Sequence, residues 1–170
     1  VESIADQTYT GSALTPKVVV KEGSKVLTKN VDYTVSYSNN IKVGTASVKI
    51  TGKGSYKGSY TVNFKILPCA ISKAGIRKII DKRYTGNEIK PSVSLTYKYK
   101  TLKKGTDYTV SYSNNINAGT ATVTITGIGS YEGTASTTFQ IKPRSLREVT
   151  ARKISTQEYT GCLLYTSPSP

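Results

Sequence analysis

Apolar and polar residues alternate along most of this chain, which is the pattern of strands with one buried face and one wet face. From Tyr33 to Ser38 the aromatic and aliphatic side chains fall on one face and the hydroxyl side chains of Thr and Ser on the other. The same alternation runs through Ala46–Ile50 and Tyr60–Ile66. No segment keeps a helical period, so the sequence predicts an all-β fold with antiparallel sheets.

Turn signals separate these runs of alternating residues. Glu22-Gly23-Ser24, Asn39-Asn40 and Gly52-Lys53-Gly54 contain residue types that accept a positive φ angle or bond their own backbone. Six or seven short strands at this spacing predict a two-sheet sandwich.

The sequence also repeats itself. The ten residues Asp32–Ile41 recur unchanged as Asp107–Ile116, and positions 32 and 107 differ by 75. A period of this length indicates tandem modules, and missing it would mis-assign the whole fold. We therefore predict a 75-residue repeat with copy one at 1–67, copy two at 68–142 and the truncated start of copy three at 143–161.

Each copy is expected to be a separate sandwich built around equivalent residues. The expected core residues are Val18, Leu27, Val35, Val48, Ile50 and Phe64 in copy one, and Val93, Leu102, Val110, Val123, Ile125 and Phe139 in copy two. Tyr33, Tyr37, Tyr108 and Tyr112 are expected in or beside the two cores. The join at Phe64–Ile71 contains no Gly/Ser linker, and Pro68 restricts the backbone there, so a semi-rigid connection is expected.

The two ends of the chain depart from the repeat. After Gly161 the residues Cys162–Pro170 match neither earlier copy. They resemble the translation of a sequencing-library transposon adapter, so we expect 162–170 to be a non-native tail outside the fold. The chain begins at Val1 and contains no Met, which predicts that the protein's true beginning lies upstream.

Charge and hydropathy narrow the classes of partner. The chain has 24 Lys and Arg against 10 Asp and Glu, a net charge of +14, and the basic residues are scattered singly. No aromatic-basic cluster or recognition helix is evident, so no nucleic acid is expected. An anionic polymer is a more natural partner for such a charge, held by non-specific and salt-sensitive attraction. No apolar run reaches the roughly 18 residues of a membrane span.

The residues needed for catalysis or metal binding are scarce. The chain has no His, which removes the usual general base and the commonest zinc ligand, and its two cysteines form no metal or disulfide framework. The acidic positions shared by both copies are Asp6/Asp81 and Asp32/Asp107, too few for calcium. Asp32 and Asp107 are expected to accept backbone hydrogen bonds instead. We predict no catalytic residue, metal or cofactor, and hence no enzyme.

Two of the thirteen tyrosines suggest a ligand contact. Tyr97 and Tyr99 are expected at an exposed hairpin tip, where copy one has Glu22 and Ser24. A tyrosine face can stack on a sugar ring while its hydroxyl stays in water. These two residues are therefore the candidate ligand contacts.

Several motifs resemble bacterial immunoglobulin-like repeats, which occur in tandem in secreted and cell-wall proteins of Gram-positive bacteria. The Tyr9-Thr10-Gly11 opening, the Asp32–Asn40 motif, Gly44-Thr45-Ala46 and Gly54-Ser55-Tyr56 carry the resemblance, which covers about 1–161. It implies immunoglobulin-like β-sandwich modules at the cell surface or outside the cell. They would act as a structural or adhesive stalk, with neighbouring repeats and anionic cell-wall polymer as partners.

Two other functions stay open. One is a carbohydrate- or protein-binding module that holds a host or glycan ligand. The other is an accessory region of a surface hydrolase. A spacer should keep core and turn residues between copies, whereas a binding module should keep an exposed set, and what the copies share here is mostly strand and turn residues.

Overall fold

The computed structural model describes residues 1–148, 150, 152, 153, 155, 156 and 158. Their regular structure is all β apart from two single-turn 3-10 helices, at Ile71–Lys73 and Leu146–Glu148. The strands are β1 Gln7–Thr8, β2 Lys21–Glu22, β3 Lys25–Val26, β4 Tyr33–Ser38, β5 Gly44–Gly52, β6 Ser59–Leu67, β7 Cys69–Ala70, β8 Gly75–Ile76, β9 Lys82–Arg83, β10 Leu95–Tyr97, β11 Lys100–Thr101, β12 Tyr108–Ser113, β13 Gly119–Gly127, β14 Tyr131–Glu132 and β15 Thr134–Lys142. The tail 162–170 lies outside the described residues, as does most of 149–161.

The three longest strands of each copy form its main sheet. In copy one β4, β5 and β6 pair antiparallel, and β1 adds to the free edge of β6 in parallel. In copy two β12, β13, β15 and β9 repeat this arrangement. The register places Ala46 opposite Phe64 and Ala121 opposite Phe139, so a small residue faces a ring in both sheets.

Short hairpins and the loops beside them form the second layer. Copy one has the β2–β3 hairpin, and copy two has the sheet β11-β10-β8. Val18 and Leu27 from this layer belong to the same buried cluster as Val48 and Phe64 from the main sheet. The all-β, sandwich-like architecture predicted from the alternation is thereby confirmed.

The core agrees with the predicted set except in three positions. Val18, Leu27, Val48, Ile50, Phe64, Leu102, Val123, Ile125 and Phe139 are buried, as are Tyr33 and Tyr108. Val35, Val93 and Val110 are only partly buried. For Val35 and Val110 the reason is position, because β4 and β12 are the edge strands of their sheets. At the start of β6 the alternation also fails, since Tyr60 is 62 % exposed.

Candidate functional site

The duplicated acid of the repeated motif holds a turn together. Asp32 Oδ2 accepts a hydrogen bond from the backbone N–H of Thr28 at 2.7 Å, and Asp107 Oδ2 accepts one from Lys103 at 2.8 Å. A charged acceptor makes such a bond stronger than a neutral one. The expectation that these two aspartates cap turns is confirmed.

The tyrosines of the same motif fasten the main sheet to the second layer. In copy two, the Tyr108 hydroxyl donates to the Val93 carbonyl at 2.8 Å, and the Tyr112 hydroxyl donates to the Pro91 carbonyl at 2.5 Å. In copy one, Tyr33 bonds Val18 and Tyr37 bonds Pro16. Burial raises the pKa of both Tyr108 and Tyr112, which favours the neutral, donating form.

The two asparagines that end the motif also act within their own copy. Asn114 adopts the left-handed conformation at φ 55°. Asn115 is buried, and its side-chain amide donates to the Ile89 carbonyl at 3.1 Å while the Ile89 N–H donates to its backbone carbonyl at 2.8 Å. Asn39, Asn40 and Leu14 repeat this arrangement in copy one. These shared aspartate, tyrosine and asparagine residues therefore serve the fold.

The second pair of acidic residues that both copies share also forms polar contacts within the chain. Asp6 Oδ1 accepts the backbone N–H of Lys65 at 3.0 Å, and Asp81 lies 3.1 Å from the ammonium of Lys142. The hydrogen bond from Lys142 lowers the pKa of Asp81. Within the described part of the chain, no three Cys, Asp or Glu side chains come together in a way that could hold a metal ion.

The predicted ligand-contact residues lie on one hairpin but differ in environment. Tyr97 pairs with Lys100 across β10 and β11, and Lys98 and Tyr99 form the two-residue loop. Both loop residues have positive φ angles, 44° and 67°. This conformation suits the twist of a hairpin but is unfavourable for side chains other than glycine and asparagine. The Tyr99 ring is fully exposed at the tip.

Tyr97, by contrast, is half-buried, so the expectation of an exposed pair is met by Tyr99 alone. Its ring meets Tyr131 edge-on with centroids 5.9 Å apart, and the Lys98 ammonium lies 5.6 Å from its centroid. A hydrogen bond with the Cys69 thiol, and then burial, raise the pKa of Tyr97. Ligand binding by Tyr97 and Tyr99 stays a prediction, and Tyr99 offers the accessible ring.

Sequence reasoning missed the contact between the copies. Tyr131 of copy two is buried, and its ring meets Tyr9 of copy one edge-on with centroids 5.8 Å apart. Burial raises the pKa of Tyr131 to about 12. Pro68 alone separates β6 from β7, and β7 pairs in parallel with β14, which contains Tyr131. The motif Gly54-Ser55-Tyr56 recurs 75 positions later as Gly129-Ser130-Tyr131, but nothing in it indicates a partner in the other copy.

Within the described residues, no buried side-chain nitrogen or oxygen lacks a hydrogen-bond partner. Among these residues no helix has the length and apolar character to cross a membrane. No protein-family model matches the sequence, and a comparison with curated proteins found no match.

Proposed function

We propose that this chain is a stalk or spacer of a bacterial surface or secreted protein, in which immunoglobulin-like modules follow one another and project another domain from the cell. The observation that carries the proposal is the junction. One residue, Pro68, separates the last strand of copy one from the first strand of copy two, and the Tyr9 and Tyr131 rings meet across the join. A junction with buried contacts and no flexible linker transmits orientation from one module to the next.

The roles of the shared residues support the same function. Asp107, Tyr108, Tyr112 and Asn115 each bond a backbone group of their own copy, as their counterparts in copy one do. A spacer needs such residues in every module, because each module must fold alone. It needs no shared exposed site, and catalysis is no part of this proposal.

The setting is proposed on the family resemblance of the repeated motifs and on charge. A cell-wall or extracellular location suits a chain of net charge +14, because wall polymers are anionic. Neighbouring repeats would be its main partners. Contact with wall polymer would be electrostatic and non-specific.

A measurement of how rigid the junction is tests the spacer function directly. Spin labels at Ser36→Cys and Ser111→Cys, equivalent exposed positions of the two copies, would be placed in a background with Cys69 and Cys162 replaced by Ala. We expect a narrow, single-peaked distance distribution by electron spin resonance. Tyr9→Ala should broaden it by removing the ring contact, whereas Tyr60→Ala, an exposed tyrosine of copy one, should not. A broad distribution in the parent would contradict the spacer function.

The fully exposed ring of Tyr99 favours a second candidate function, a carbohydrate- or protein-binding module. The Tyr99 backbone is held in the left-handed region. The residue at the corresponding loop position of copy one is Ser24. Strain of this kind often accompanies a functional position. The flanking Lys98 and Lys100 would add attraction for an acidic glycan.

Retention on purified cell wall and on a glycan array, at low and physiological salt, separates the two functions. For the spacer we expect weak retention that falls steeply with salt, because exposed charges are screened over about 8 Å at physiological ionic strength. Tyr99→Ala and Tyr97→Ala should leave it unchanged, as should the control Tyr60→Ala. Saturable, salt-resistant binding of one glycan that is lost in Tyr99→Ala and kept in Tyr60→Ala would establish the binding module instead.

A further inference from the structure

A cleft of about 640 Å³ opens on the surface of copy two. One wall is the segment 77–82, which runs from β8 to β9, and the other is formed by residues of 91–94, which precede β10. The Arg77 N–H donates to the Ser94 carbonyl at 3.0 Å and joins the two walls. Ile79 is buried and anchors the first wall in the core. Both walls are therefore held in place by the fold.

The polar lining of the cleft is mainly basic. Its charged residues are Arg77, Lys78, Lys82 and Asp81. The acid is already paired, because Asp81 Oδ2 lies 3.1 Å from the Lys142 ammonium. The hydrogen bond from Lys142, and less strongly the charge of Lys78, lower the pKa of Asp81. Arg77 and Lys82 form no ion pair with any described residue, so the cleft has positive charge without a matching anion.

The basic side chains of the cleft are not needed for the fold. Their counterparts in copy one, 75 positions earlier, are Glu2, Ser3 and Gln7. Copy one forms the same main sheet with an acid and two neutral residues there, and its Glu2 pairs with Lys21. The two serines of the second wall likewise replace a lysine and a valine of copy one. Because the fold accepts either set, the basic set of copy two needs another explanation, and an anionic ligand supplies one.

Neighbouring modules leave this face of a copy accessible. Arg77 and Lys78 are exposed although copy one precedes them in the chain. The equivalent Glu2 and Ser3 are exposed although copy two follows them. Copy two thus shows the effect of a preceding module, and copy one shows the effect of a following module. The cleft therefore stays open in a tandem array.

We propose that this cleft of copy two binds the phosphate groups of an anionic polymer. The Arg77 guanidinium presents a fork of donors that suits phosphate oxygens, and the ammonium groups of Lys78 and Lys82 act as point charges. The hydroxyls of Ser92 and Ser94 line the second wall and can donate hydrogen bonds from there. Phosphate oxygens project in tetrahedral directions and accept from both walls, whereas a planar carboxylate is best matched by one fork. The donor set therefore favours phosphate.

The apolar part of the lining favours a polymer over a free phosphate ion. Ile80 is 79 % exposed and Pro91 is half-buried, and both line the cleft. They offer apolar contact to the carbon atoms that join successive phosphates. Arg77 and Lys78 stand at one end of the first wall and Lys82 at the other, so more than one phosphate can be held. This inference goes beyond the spacer function, which depends on the rigidity of the junction and not on the cleft.

Titration of the full chain with an oligomer of glycerol phosphate, followed by the backbone amide signals in NMR spectra, tests the site. The titration is done under reducing conditions at physiological ionic strength, where distant exposed charges are screened over about 8 Å. We expect saturable shifts of the amides in 77–82 and 91–94. The equivalent segments 2–7 and 16–19 of copy one are the internal control and should shift little. No saturable binding, or shifts spread evenly over both copies, would overturn the proposal.

Two triple variants with the same loss of charge separate a local site from the effect of net charge. The cleft variant is Arg77→Gln, Lys78→Ser and Lys82→Gln. The control variant, in exposed positions of copy one, is Lys25→Gln, Lys49→Gln and Lys57→Gln. The cleft variant should bind the oligomer at least about tenfold more weakly, since the loss of one charge-assisted hydrogen bond already has roughly that effect. The control should bind nearly as the parent does. Circular dichroism checks that both are folded, and equal weakening in the two would contradict a local site.

Two further probes identify the ligand chemistry. Inorganic phosphate should shift the same amides but bind more weakly than the oligomer, because it lacks the carbon segments and the second phosphate. An oligoglutamate with as many charges as the oligomer should bind least. Oligoglutamate that binds as tightly as the glycerol phosphate oligomer would refute the preference for phosphate, and inorganic phosphate that does so would refute the preference for a polymer.

Discussion

Phe64→Ala is expected to lower the free energy of unfolding by about 3–5 kcal/mol, as deletion of a buried aromatic ring usually does. Phe64 is 3 % exposed in the middle of β6, opposite Ala46, which is fully buried. Because the residue across the strand pair is already small, no neighbouring side chain there can expand into the space that the ring leaves. The decrease in the free energy of unfolding then includes both the lost stabilisation from burying the ring and the cost of the cavity that remains.

Urea unfolding followed by circular dichroism measures this loss. Tyr60→Ala is the control, because Tyr60 belongs to the same strand but is largely exposed, and a change within about 0.5 kcal/mol is expected for it. Phe139→Ala should reproduce the Phe64 result in copy two, since Phe139 faces the buried Ala121. Equal unfolding midpoints for Phe64→Ala and the parent would show that the ring does not hold the core together.

Gly52→Ala is expected to lower the free energy of unfolding by about 1–3 kcal/mol, the usual range for overpacking. The cause is a clash rather than backbone conformation, because Gly52 has no positive φ angle. A Cβ atom there would lie 2.8 Å from the backbone N of Lys57 and 2.8 Å from the carbonyl carbon of Tyr56. Backbone atoms cannot rotate away as a side chain can, so the end of β5 or the following turn must shift.

Gly75→Ala is the matched control for this clash. Gly75 also has an ordinary φ angle, and its Cβ would meet the Thr96 side chain at 3.4 Å. At a compatible site, Gly to Ala leaves stability unchanged or raises it by about 0.4–1 kcal/mol through the unfolded state. Gly127→Ala should destabilise copy two, since its Cβ would lie 2.8 Å from the backbone N of Glu132. Similar urea midpoints for Gly52→Ala and Gly75→Ala would refute the steric account.

The repeated motif shows why identity between copies is a poor guide to function in this protein. Asp107, Tyr108 and Asn115 are identical to their counterparts, and each bonds a backbone group within its own copy. Several positions that differ, such as Glu22 against Tyr97, lie at the hairpins and the junction, while others, such as Asn63 against Thr138, lie within the long strands. Recognition in a tandem protein is therefore best sought where the copies diverge.

The sequence by itself determined the all-β class, most of the core and the role of Asp32 and Asp107. These follow from local physics. In a strand the side chains alternate between two faces, so the apolar set that includes Val48, Ile50 and Phe64 must be buried wherever the sheet is covered. A turn aspartate likewise finds its N–H partner within four residues.

Only the tertiary structure decided which tyrosines are accessible and how the copies meet. Tyr97 and Tyr99 are two positions apart on one hairpin, but Tyr97 lies against Tyr131 and Cys69 while Tyr99 faces solvent. Tyr9 and Tyr131 meet although 122 positions separate them. Such contacts depend on how whole sheets pack against each other. Because the hydrophobic effect has no preferred direction, a local sequence pattern shows that a ring is favourably buried but not which distant side chain buries it.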